Sequence, residues 1–417
     1  MSSRLPGWMR ASPTLVVGAS LLALLLIISR QPSAIFNPQL FAEDGKVWFQ
    51  NAYQFGPFQP LVWPYAGYLE TFQRLVGAAA LMLPLSLVPL FFAWVSLVVQ
   101  VLPVAFLASD RLAPQLPRRW VRLLVALGYL ALPGTIGVGA DVTNTEWYLA
   151  VLAVMVVLAP RSHRPWWQAF DIAVVTLSGL TGPFCIFLAP AALVLAWIRR
   201  TRSQIAVGAV VLGLAVLQAG VLVANLPIQR SVVLAPVHVS WLVGLEMVAT
   251  RMVMVPILGT PVAYYATQID GLVVPVLVLA MALVMLTIAL TRGTVEQRLA
   301  IAVGMITLAA AMVVQRRLWT VMLHTNGASR YWIFPMLSWL AILAIVAFRA
   351  RMRWARPLAV ILLSLTLLVG VPSDWEYPAV QNRHFQLAAA EFGRARPGQS
   401  VRFQEEPRGW SFLLTKR

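Results

Sequence analysis

The sequence predicts an all-α polytopic membrane protein with about 11 transmembrane helices, several interfacial helices and a small extracytoplasmic segment at the C-terminus. Three observations support this fold class. Of the 417 residues, 60% are hydrophobic and only 11% are charged, and the mean hydropathy is +0.78. The apolar residues form runs of roughly 20, the length of one membrane crossing. Short basic clusters separate these runs.

The basic clusters predict the direction of each crossing, because cytoplasmic loops of membrane proteins are rich in Lys and Arg. Placing every cluster in the cytoplasm gives one consistent path, with the N-terminus cytoplasmic and the C-terminus outside. The clusters are Arg4/Arg10, Arg111/Arg118/Arg119/Arg122, Arg161/Arg164, Arg199/Arg200/Arg202, Arg292/Arg298 and Arg349/Arg351/Arg353/Arg356. The predicted spans are 14–29, 86–109, 119–138, 146–160, 167–180, 184–198, 204–224, 271–290, 299–316, 331–348 and 358–371.

Composition also excludes several classes of function. The net charge is +17, but the basic residues lie between spans, so they indicate topology and no nucleic-acid partner is expected. The single cysteine, Cys185, excludes an intramolecular disulfide and a thiolate metal cluster. The sequence contains no Gly-rich phosphate loop, which argues against an ATP-driven pump. No cleavage site follows the first span, so we interpret it as a retained anchor.

Two segments between the spans are predicted to be helices at the membrane surface. Tyr68–Leu83 is interpreted as an interfacial helix, on which Glu70 and Arg74 are four residues apart and face each other. The alternative is a hairpin of two short spans over residues 69–109, which would reverse the orientation of everything downstream. Trp241–Arg251 is apolar but interrupted by charge, which predicts an amphipathic surface helix.

A change in composition divides the chain into two predicted domains, a transmembrane domain of residues 1–371 and a polar tail of residues 372–417. Within the tail, Ser400–Gln404 and Trp410–Leu414 flank Glu405–Gly409. This pattern of alternating apolar residues around a turn predicts a β-hairpin.

The acidic residues are few and sort to one side of the membrane. Under the predicted topology, 12 of the 15 lie on the outer side of the membrane. Two of them, Glu43 and Asp44, are adjacent in the first outer loop, residues 30–85, directly after the first span. A carboxylate pair at this place suits a general base. The alternative is that Asp44 caps a helix predicted over Lys46–Phe55.

Two further outer segments carry groups suited to a sugar. Aromatic side chains, among them Tyr65, crowd the stretch Phe55–Tyr68, where they would stack on sugar rings or anchor the chain at the headgroup level. The run Asp141–Tyr148 is rich in hydrogen-bonding groups. The candidate substrate-binding residues in this run are Asp141, Asn144 and Glu146. Alternatively, Asn144 or Thr145 caps the next helix, whose first turn then carries a glutamate.

A last group of polar residues contradicts the charge rule, because it places three arginines outside. Arg316, Arg317 and Arg330 present guanidinium groups suited to a phosphate, with His324 and Tyr331 nearby in the sequence. Alternatively, they bind lipid headgroups nonspecifically or pair with the outer acids.

Taken together, the acidic pair in the first outer loop, the interfacial segment after it and the outer arginines resemble the GT-C class of integral membrane glycosyltransferases. The segments Phe41–Gly45, Tyr65–Leu69, Asn144–Leu149 and Gly182-Pro183-Phe184 are also similar to uncharacterised bacterial membrane proteins placed near that class. The resemblance implies a GT-C-like fold in which Asp44 is the catalytic base and Glu43 assists it. The substrate-binding residues it implies are Lys46, Tyr65, Arg74, Asp141, Asn144, Glu146, Arg316, Arg317, His324, Arg330 and Tyr331.

The function that the resemblance implies is inverting glycosyl transfer on the outer face of a bacterial inner membrane. The partners would be a polyprenyl-phosphate-linked sugar donor, a glycolipid or polysaccharide acceptor, and membrane lipids. No cofactor is required, but Glu43, Asp44 and Asp141 leave open a divalent cation, Mg²⁺ or Mn²⁺, with oxygen ligands.

Two alternatives to this function stay open. A transporter or flippase of lipid-linked glycans would need ionisable groups within the membrane, and the predicted spans contain almost none. A polysaccharide polymerase or ligase would share the donor class and differ in the acceptor.

Overall fold

Helices dominate the structure, a computed structural model that is 73% helical. It describes residues 13–136, 139–231, 240–316, 319–324 and 328–417, without the side chains of 226–231, 269–270, 321 and 324. Within these residues, eight helices are long and apolar enough to cross a membrane. The coarse prediction of a mostly helical, multi-pass membrane protein is therefore confirmed.

The secondary structure alternates long apolar helices with short surface elements. The first elements are α1 (Pro13–Arg30), α2 (Ser33–Phe36), α3 (Gln50–Phe55), β1 (Pro64–Tyr65), β2 (Tyr68–Leu69), α4 (Thr71–Ala80), α5 (Val88–Ala108), α6 (Arg119–Leu130), α7 (Thr145–Leu158), α8 (Pro165–Gly179), α9 (Phe184–Arg199) and α10 (Arg202–Ser231). The later elements are α11 (Trp241–Val248), α12 (Val255–Leu258), α13 (Thr260–Asp270), α14 (Val273–Arg292), α15 (Val295–Val314), α16 (Trp319–His324), α17 (Ile333–Arg349), α18 (Ala355–Leu365), α19 (Val371–Ser373), α20 (Phe385–Arg394), β3 (Ser400–Glu405) and β4 (Trp410–Thr415).

All but one of the candidate spans in the described residues overlap predicted spans. The candidate spans that do so are Pro13–Arg30, Leu85–Ala108, Arg202–Asn225, Val273–Arg292, Val295–Val314, Ser329–Arg349 and Ala355–Ser373. The other four predicted spans are α6 to α9, which have 12 to 16 residues. At ~1.5 Å per residue they are shorter than a ~30 Å hydrocarbon layer, so the count of about 11 crossings stays a prediction.

Two predicted surface helices differ from the elements observed. Trp241–Leu258 is the eighth candidate span, formed by α11, a wide π-type turn at Ala249–Met254, and α12. The charge of Arg251 suggested a helix at the surface, whereas the packed chain buries this side chain. The helix predicted over Tyr68–Leu83 is only α4, because residues 64–69 pair as the antiparallel strands β1 and β2.

Contacts among the described residues divide the chain into two compact units. One comprises Met1–Leu123, Gly139–Val233 and Pro378–Arg417, and the other comprises Leu124–Val138 and Leu234–Tyr377. The domain boundary predicted at residue 371 separates the transmembrane helices from an outer tail. The two units are defined by contacts within the chain, so they do not test that boundary.

Within the first unit, the polar tail packs against the first outer loop. Strands β3 and β4 pair in an antiparallel hairpin, as the sequence predicts, with Ser400 opposite Thr415. One face of this hairpin shares a buried apolar cluster with Trp48, Phe49 and the helix α20. Backbone hydrogen bonds between residues 40–42 and Glu406 extend the contact. The tail is therefore part of the surroundings of the acidic pair.

Candidate functional site

Asp44 begins the helical segment that follows the first span. Its segment, Asp44–Phe49, is a wide π-type turn that continues into α3. Asp44 Oδ1 accepts hydrogen bonds from the Thr143 backbone N–H at 2.9 Å and from Thr143 Oγ1 at 2.8 Å, and Oδ2 accepts one from the Val142 N–H at 3.2 Å. Glu43 takes the N-cap position and makes no side-chain capping bond. The alternative that Asp44 caps its own helix was therefore wrong.

The surroundings of Asp44 make its carboxyl group a stronger base than an exposed aspartate. Only 1% of the residue is exposed. Burial raises its pKa well above the ordinary value, and the negative charge of Asp141 raises it further. The hydrogen bonds from Thr143 and Val142 oppose this rise without cancelling it. The charges of Asp44 and Asp141 thus repel each other, which agrees with the shared site that the sequence suggested.

Glu43 lies in a cluster with aromatic and cationic side chains. The Tyr65 hydroxyl donates to Glu43 Oε1 at 3.1 Å. Tyr65 packs edge-on against Trp48, with ring centroids 5.2 Å apart, and the Arg74 guanidinium lies 5.2 Å from the Trp48 ring. Burial lowers the pKa of Arg74 to about 10, partly offset by Glu70 and Tyr65, so this group stays cationic at neutral pH. The predicted residues Glu43, Tyr65 and Arg74 therefore come together.

Lys46 differs from its predicted partners, because it is exposed. Its Nζ lies 5.2 Å from the ring of Trp410, on the tail hairpin. The structure places Lys46 at the edge of the cluster instead of inside it.

The polar run after residue 140 folds back on itself before α7. Asp141 Oδ1 accepts a hydrogen bond from the Asn144 N–H at 2.8 Å. Asn144 occupies the N-cap position of α7, as one alternative had it, but makes no side-chain capping bond. Glu146 lies in the first turn, buried, with its carboxylate against Gly182. The run therefore contributes Asp141, Asn144 and Glu146 to one buried polar region.

The four segments that carried the resemblance meet in the first unit. Asp44 joins the first segment to residues 142–143, Glu146 contacts Gly182, and the Gly182 N–H donates to the Leu69 carbonyl at 2.9 Å. The buried Gln218 amide links the segments Tyr65–Leu69 and Gly182-Pro183-Phe184, because it makes hydrogen bonds with the backbone at residues 69, 179 and 182.

Glu405 is the carboxylate of this region that sequence reasoning missed. Its Oε2 accepts a hydrogen bond from the Gly45 N–H at 2.8 Å. Burial raises its pKa to about 8, and the nearby Glu43 adds to the rise, while the Gly45 and Lys46 backbone groups and the Lys46 charge oppose it. Glu405 follows Val401 and Phe403 at the inward positions of β3. A carboxylate at an inward strand position was the available signal.

The predicted phosphate-binding residues belong to the second unit. Arg316 is exposed and lies over the Trp241 ring at 4.8 Å. Arg330 lies over the ring of Tyr331 at 5.2 Å, and the Tyr331 hydroxyl accepts a hydrogen bond from Gln315 at 2.7 Å. Arg317 lies outside the described residues, as does the side chain of His324.

The sequence left open a divalent cation held by Glu43, Asp44 and Asp141. Within the described part of the chain, no three His, Cys, Asp or Glu side chains are arranged to hold a metal ion. The reason is local: Asp44, Glu43 and Asp141 turn oxygens to the hydrogen-bond donors of Thr143, Tyr65 and Asn144. These oxygens already have protein partners.

Comparison with known proteins adds no family: the sequence matches no protein-family model and no curated protein. The resemblance to the GT-C class therefore rests on the sequence features alone.

Proposed function

We propose that this protein is an inverting glycosyltransferase that moves a sugar from a polyprenyl-phosphate donor to a glycolipid or polysaccharide acceptor, on the outer face of a bacterial inner membrane. The observation that carries the proposal is the buried Asp44 carboxylate, with its raised pKa, among polar groups from several loops of the first unit. Perturbed carboxylates in such clusters are characteristic of acid–base sites.

In the proposed reaction, the acceptor hydroxyl oxygen attacks the anomeric carbon of the donor sugar. The bond from that carbon to the phosphate oxygen breaks, and polyprenyl phosphate leaves with the electron pair. Asp44 takes the hydroxyl proton, which requires the hydroxyl within about 3 Å of its carboxylate. A raised pKa suits this role, because it brings the proton affinity of the base closer to the operating pH.

The neighbours of Asp44 have separate roles in this proposal. Thr143 and Val142 hold the carboxylate in one orientation. Arg74, cationic and buried beside Trp48, attracts the anionic donor. The sequence-based assignment of Arg316, Arg317, Arg330, Tyr331 and His324 to the donor phosphate stays a prediction.

A transporter or flippase is the second candidate, and one observation favours it. Arg251 lies within the candidate span Trp241–Leu258 and is buried. A charge inside a membrane span is a common mark of a transport path. This weakens the sequence-based argument that the spans carry almost no charge.

The first experiment compares purified wild type with Asp44→Asn in the presence of a lipid-linked sugar donor and a glycolipid acceptor. An enzyme releases polyprenyl phosphate, whereas a flippase only moves the intact lipid between the leaflets of a vesicle. Asp44→Asn is expected to lower the release by about a hundredfold or more. Glu391→Gln, which removes an exposed carboxylate on the tail, is the matched control and keeps full activity. Full activity of Asp44→Asn at equal protein levels contradicts the proposal.

A second variant separates chemistry from folding. Thr143→Val removes the hydroxyl that donates to Asp44 and so raises the pKa of the base further. The acidic limb of the pH–rate profile is then expected to move to higher pH. A purely structural role of Asp44 would lower the amount of folded protein without moving this limb.

The outward placement of the site is tested by cysteine accessibility. In a Cys185→Ser background, a cysteine at Ser162 is expected to react only after the cytoplasmic side is opened. A cysteine at Gly398 is expected to react from outside in intact cells. The opposite pattern would refute the proposed orientation.

A further inference from the structure

A group of exposed arginines lies at one end of four helices in the second unit. Helices α14 and α15 are joined there by a short turn, and α17 and α18 are joined by residues 350–354. Arg349 Nη1 donates a hydrogen bond to the Arg292 carbonyl at 3.5 Å, which brings the two connections together. The exposed arginines of these connections, which we call the arginine edge, are Arg292, Arg298, Arg349, Arg351, Arg353 and Arg356.

The charge of the arginine edge is not balanced within its own segments. Residues 291–298 and 349–356 contain six arginines and one acid, Glu296, so their net charge is +5 whatever group that acid contacts. Among the described residues, the hydrogen bonds of these guanidinium groups go to backbone carbonyls, from Arg349 as above and from Arg298 to Thr291 at 3.4 Å. Like charges so close together repel each other, and an anionic partner would relieve this repulsion.

Arginines at two other connections are used inside the protein. Arg111 forms a buried ion pair with Asp171 at 2.6 Å. Arg199 donates to the Ala159 carbonyl at 2.6 Å and to the Leu158 carbonyl at 2.8 Å. These guanidinium groups hold neighbouring helices together. The side chains of the arginine edge are exposed instead, so their donors are available to a partner outside the chain.

The arginine edge lies at the depth where a bilayer has its lipid phosphates. Four candidate spans begin or end there, namely Val273–Arg292, Val295–Val314, Ser329–Arg349 and Ala355–Ser373. Arginine side chains near the ends of membrane spans extend to the headgroup layer. Between the last two spans, Met352 and Trp354 are each 51% exposed, and tryptophan is typical of the boundary between lipid and water.

We propose that the arginine edge binds the headgroup phosphates of anionic phospholipids, with Met352 and Trp354 among the glycerol and upper acyl groups of the same lipids. The guanidinium fork matches the oxygens of a phosphate. Basic segments directly beside membrane spans attract anionic lipids, by about fivefold in affinity for each Lys or Arg. A lipid is the partner, and not a small ion, because the charges extend over two connections and have exposed apolar side chains between them.

This surface goes beyond the proposed sugar transfer and does not depend on it. The arginine edge lies in the second unit, whereas Asp44 lies in the first. Failure of the Asp44 experiments would leave lipid binding intact, and loss of lipid binding would leave the role of Asp44 intact.

The experiment measures lipid binding to the purified full chain in a neutral detergent by native mass spectrometry. The probes are dioleoyl phosphatidylglycerol, which is anionic, dioleoyl phosphatidylcholine, which has the same acyl chains and no net charge, and inorganic phosphate as a competitor. The anionic lipid is expected to bind at least about tenfold more tightly than the neutral one. Raising the ionic strength from about 0.1 M to about 0.5 M is expected to reduce this preference, because salt screens exposed charges.

Two results with the wild type would overturn the proposal. Equal binding of the two lipids, or a preference that does not change with ionic strength, would show that the charge of the headgroup does not select the lipid. Displacement of phosphatidylglycerol by inorganic phosphate at the same concentration would show a site for the free ion instead of a lipid surface.

Variants connect the binding to the arginine edge. The double variant Arg351→Gln/Arg353→Gln is expected to lower the affinity for phosphatidylglycerol about tenfold or more. Its matched control, Arg402→Gln/Arg408→Gln, removes two exposed charges from the polar tail and is expected to keep the wild-type affinity. Arg351→Lys/Arg353→Lys keeps both charges and is expected to keep most of the affinity.

Unchanged affinity in the double glutamine variant would refute the surface, as would an equal loss in the control. Both altered residues are exposed in a turn, where substitutions rarely affect folding. Should the glutamine variant nevertheless fail to fold, the salt dependence of the wild type and the affinity of the lysine variant decide between binding by charge and binding by acyl chains.

Discussion

Replacing Glu405 by glutamine is expected to remove a pH-dependent loss of stability. The carboxyl group has an ordinary pKa of 4.5, and burial raises it to about 8 in the folded protein. The folded state therefore binds this proton more tightly than the unfolded state. Its stability falls as the pH rises from about 4.5 to about 8, and above that range the full cost remains.

The size of the effect follows from the two pKa values. At about 1.4 kcal/mol for each tenfold change in proton affinity, the difference between 4.5 and about 8 is worth about 5 kcal/mol. Glutamine has the same shape, can accept the hydrogen bond from the Gly45 N–H and never ionises. Glu405→Gln is thus expected to match wild type only below about pH 4.5, and to become increasingly the more stable protein from there up to about pH 8 and beyond.

The assay is the apparent melting temperature of each purified protein in detergent, at a constant heating rate, from about pH 6 to about pH 9. The quantity compared is the difference between wild type and variant, because other groups also titrate in this range. That difference is expected to grow by several degrees. Glu391→Gln, on the exposed side of α20, is the control and is expected to leave the difference constant.

One result would refute the reasoning directly. A wild-type protein that stays above Glu405→Gln by the same margin at both ends of the pH range would show that Glu405 is ionised throughout. Burial would then not control its proton affinity, and its hydrogen bonds to the backbone at residues 45 and 46 would outweigh desolvation.

The remaining predictions concern packing and buried polar contacts. Gly45→Ala is expected to lower the melting temperature by several degrees, because the added methyl group would collide with Glu405 and Phe412, whereas Gly393→Ala in α20 has open space and is expected to be neutral or stabilising. Asp171→Ala is expected to lower the free energy of unfolding by about 3 to 5 kcal/mol, because it leaves the buried charge of Arg111, its ion-pair partner at 2.6 Å, without a counter-ion. An unchanged free energy of unfolding in this variant would contradict the prediction. Gln218→Leu removes the amide that bonds the backbone at three residues and is expected to cost about 1 to 3 kcal/mol, measured as the loss of stability to denaturant in detergent.

Local patterns predicted most of the fold. The first span was expected at residues 14–29 and is found at Pro13–Arg30, and the hairpin strands were expected within one residue of their observed ends. Both follow from signals carried by neighbouring residues, namely a continuous apolar run and a period of two. The surface helix predicted at Trp241–Arg251 instead forms part of the candidate span Trp241–Leu258, because an arginine inside a short window indicates a surface and only packing can bury it.

The site was predicted in part. Glu43 and Asp44 stood out because carboxylates are scarce in this chain, and the polar run at Asp141 was recognised independently. The hydrogen bond that connects the acidic pair to this run joins Asp44 to Val142, which lie 98 positions apart in the sequence. No local pattern encodes such a distance, so the hydrogen bonds that engage the Asp44 carboxylate away from its own helix could not be foreseen.

Hydropathy and charge were thus sufficient to establish a multi-pass helical membrane protein with an acidic pair after its first span. The folded chain adds Glu405, from 360 positions away, to the surroundings of that pair, and buries Arg251 within a candidate span. The physical reason is desolvation: the proton affinity of Glu405 and the burial of the Arg251 charge depend on which atoms exclude water from them. Those atoms belong to segments distant in the chain, and they meet only when the helices and loops pack.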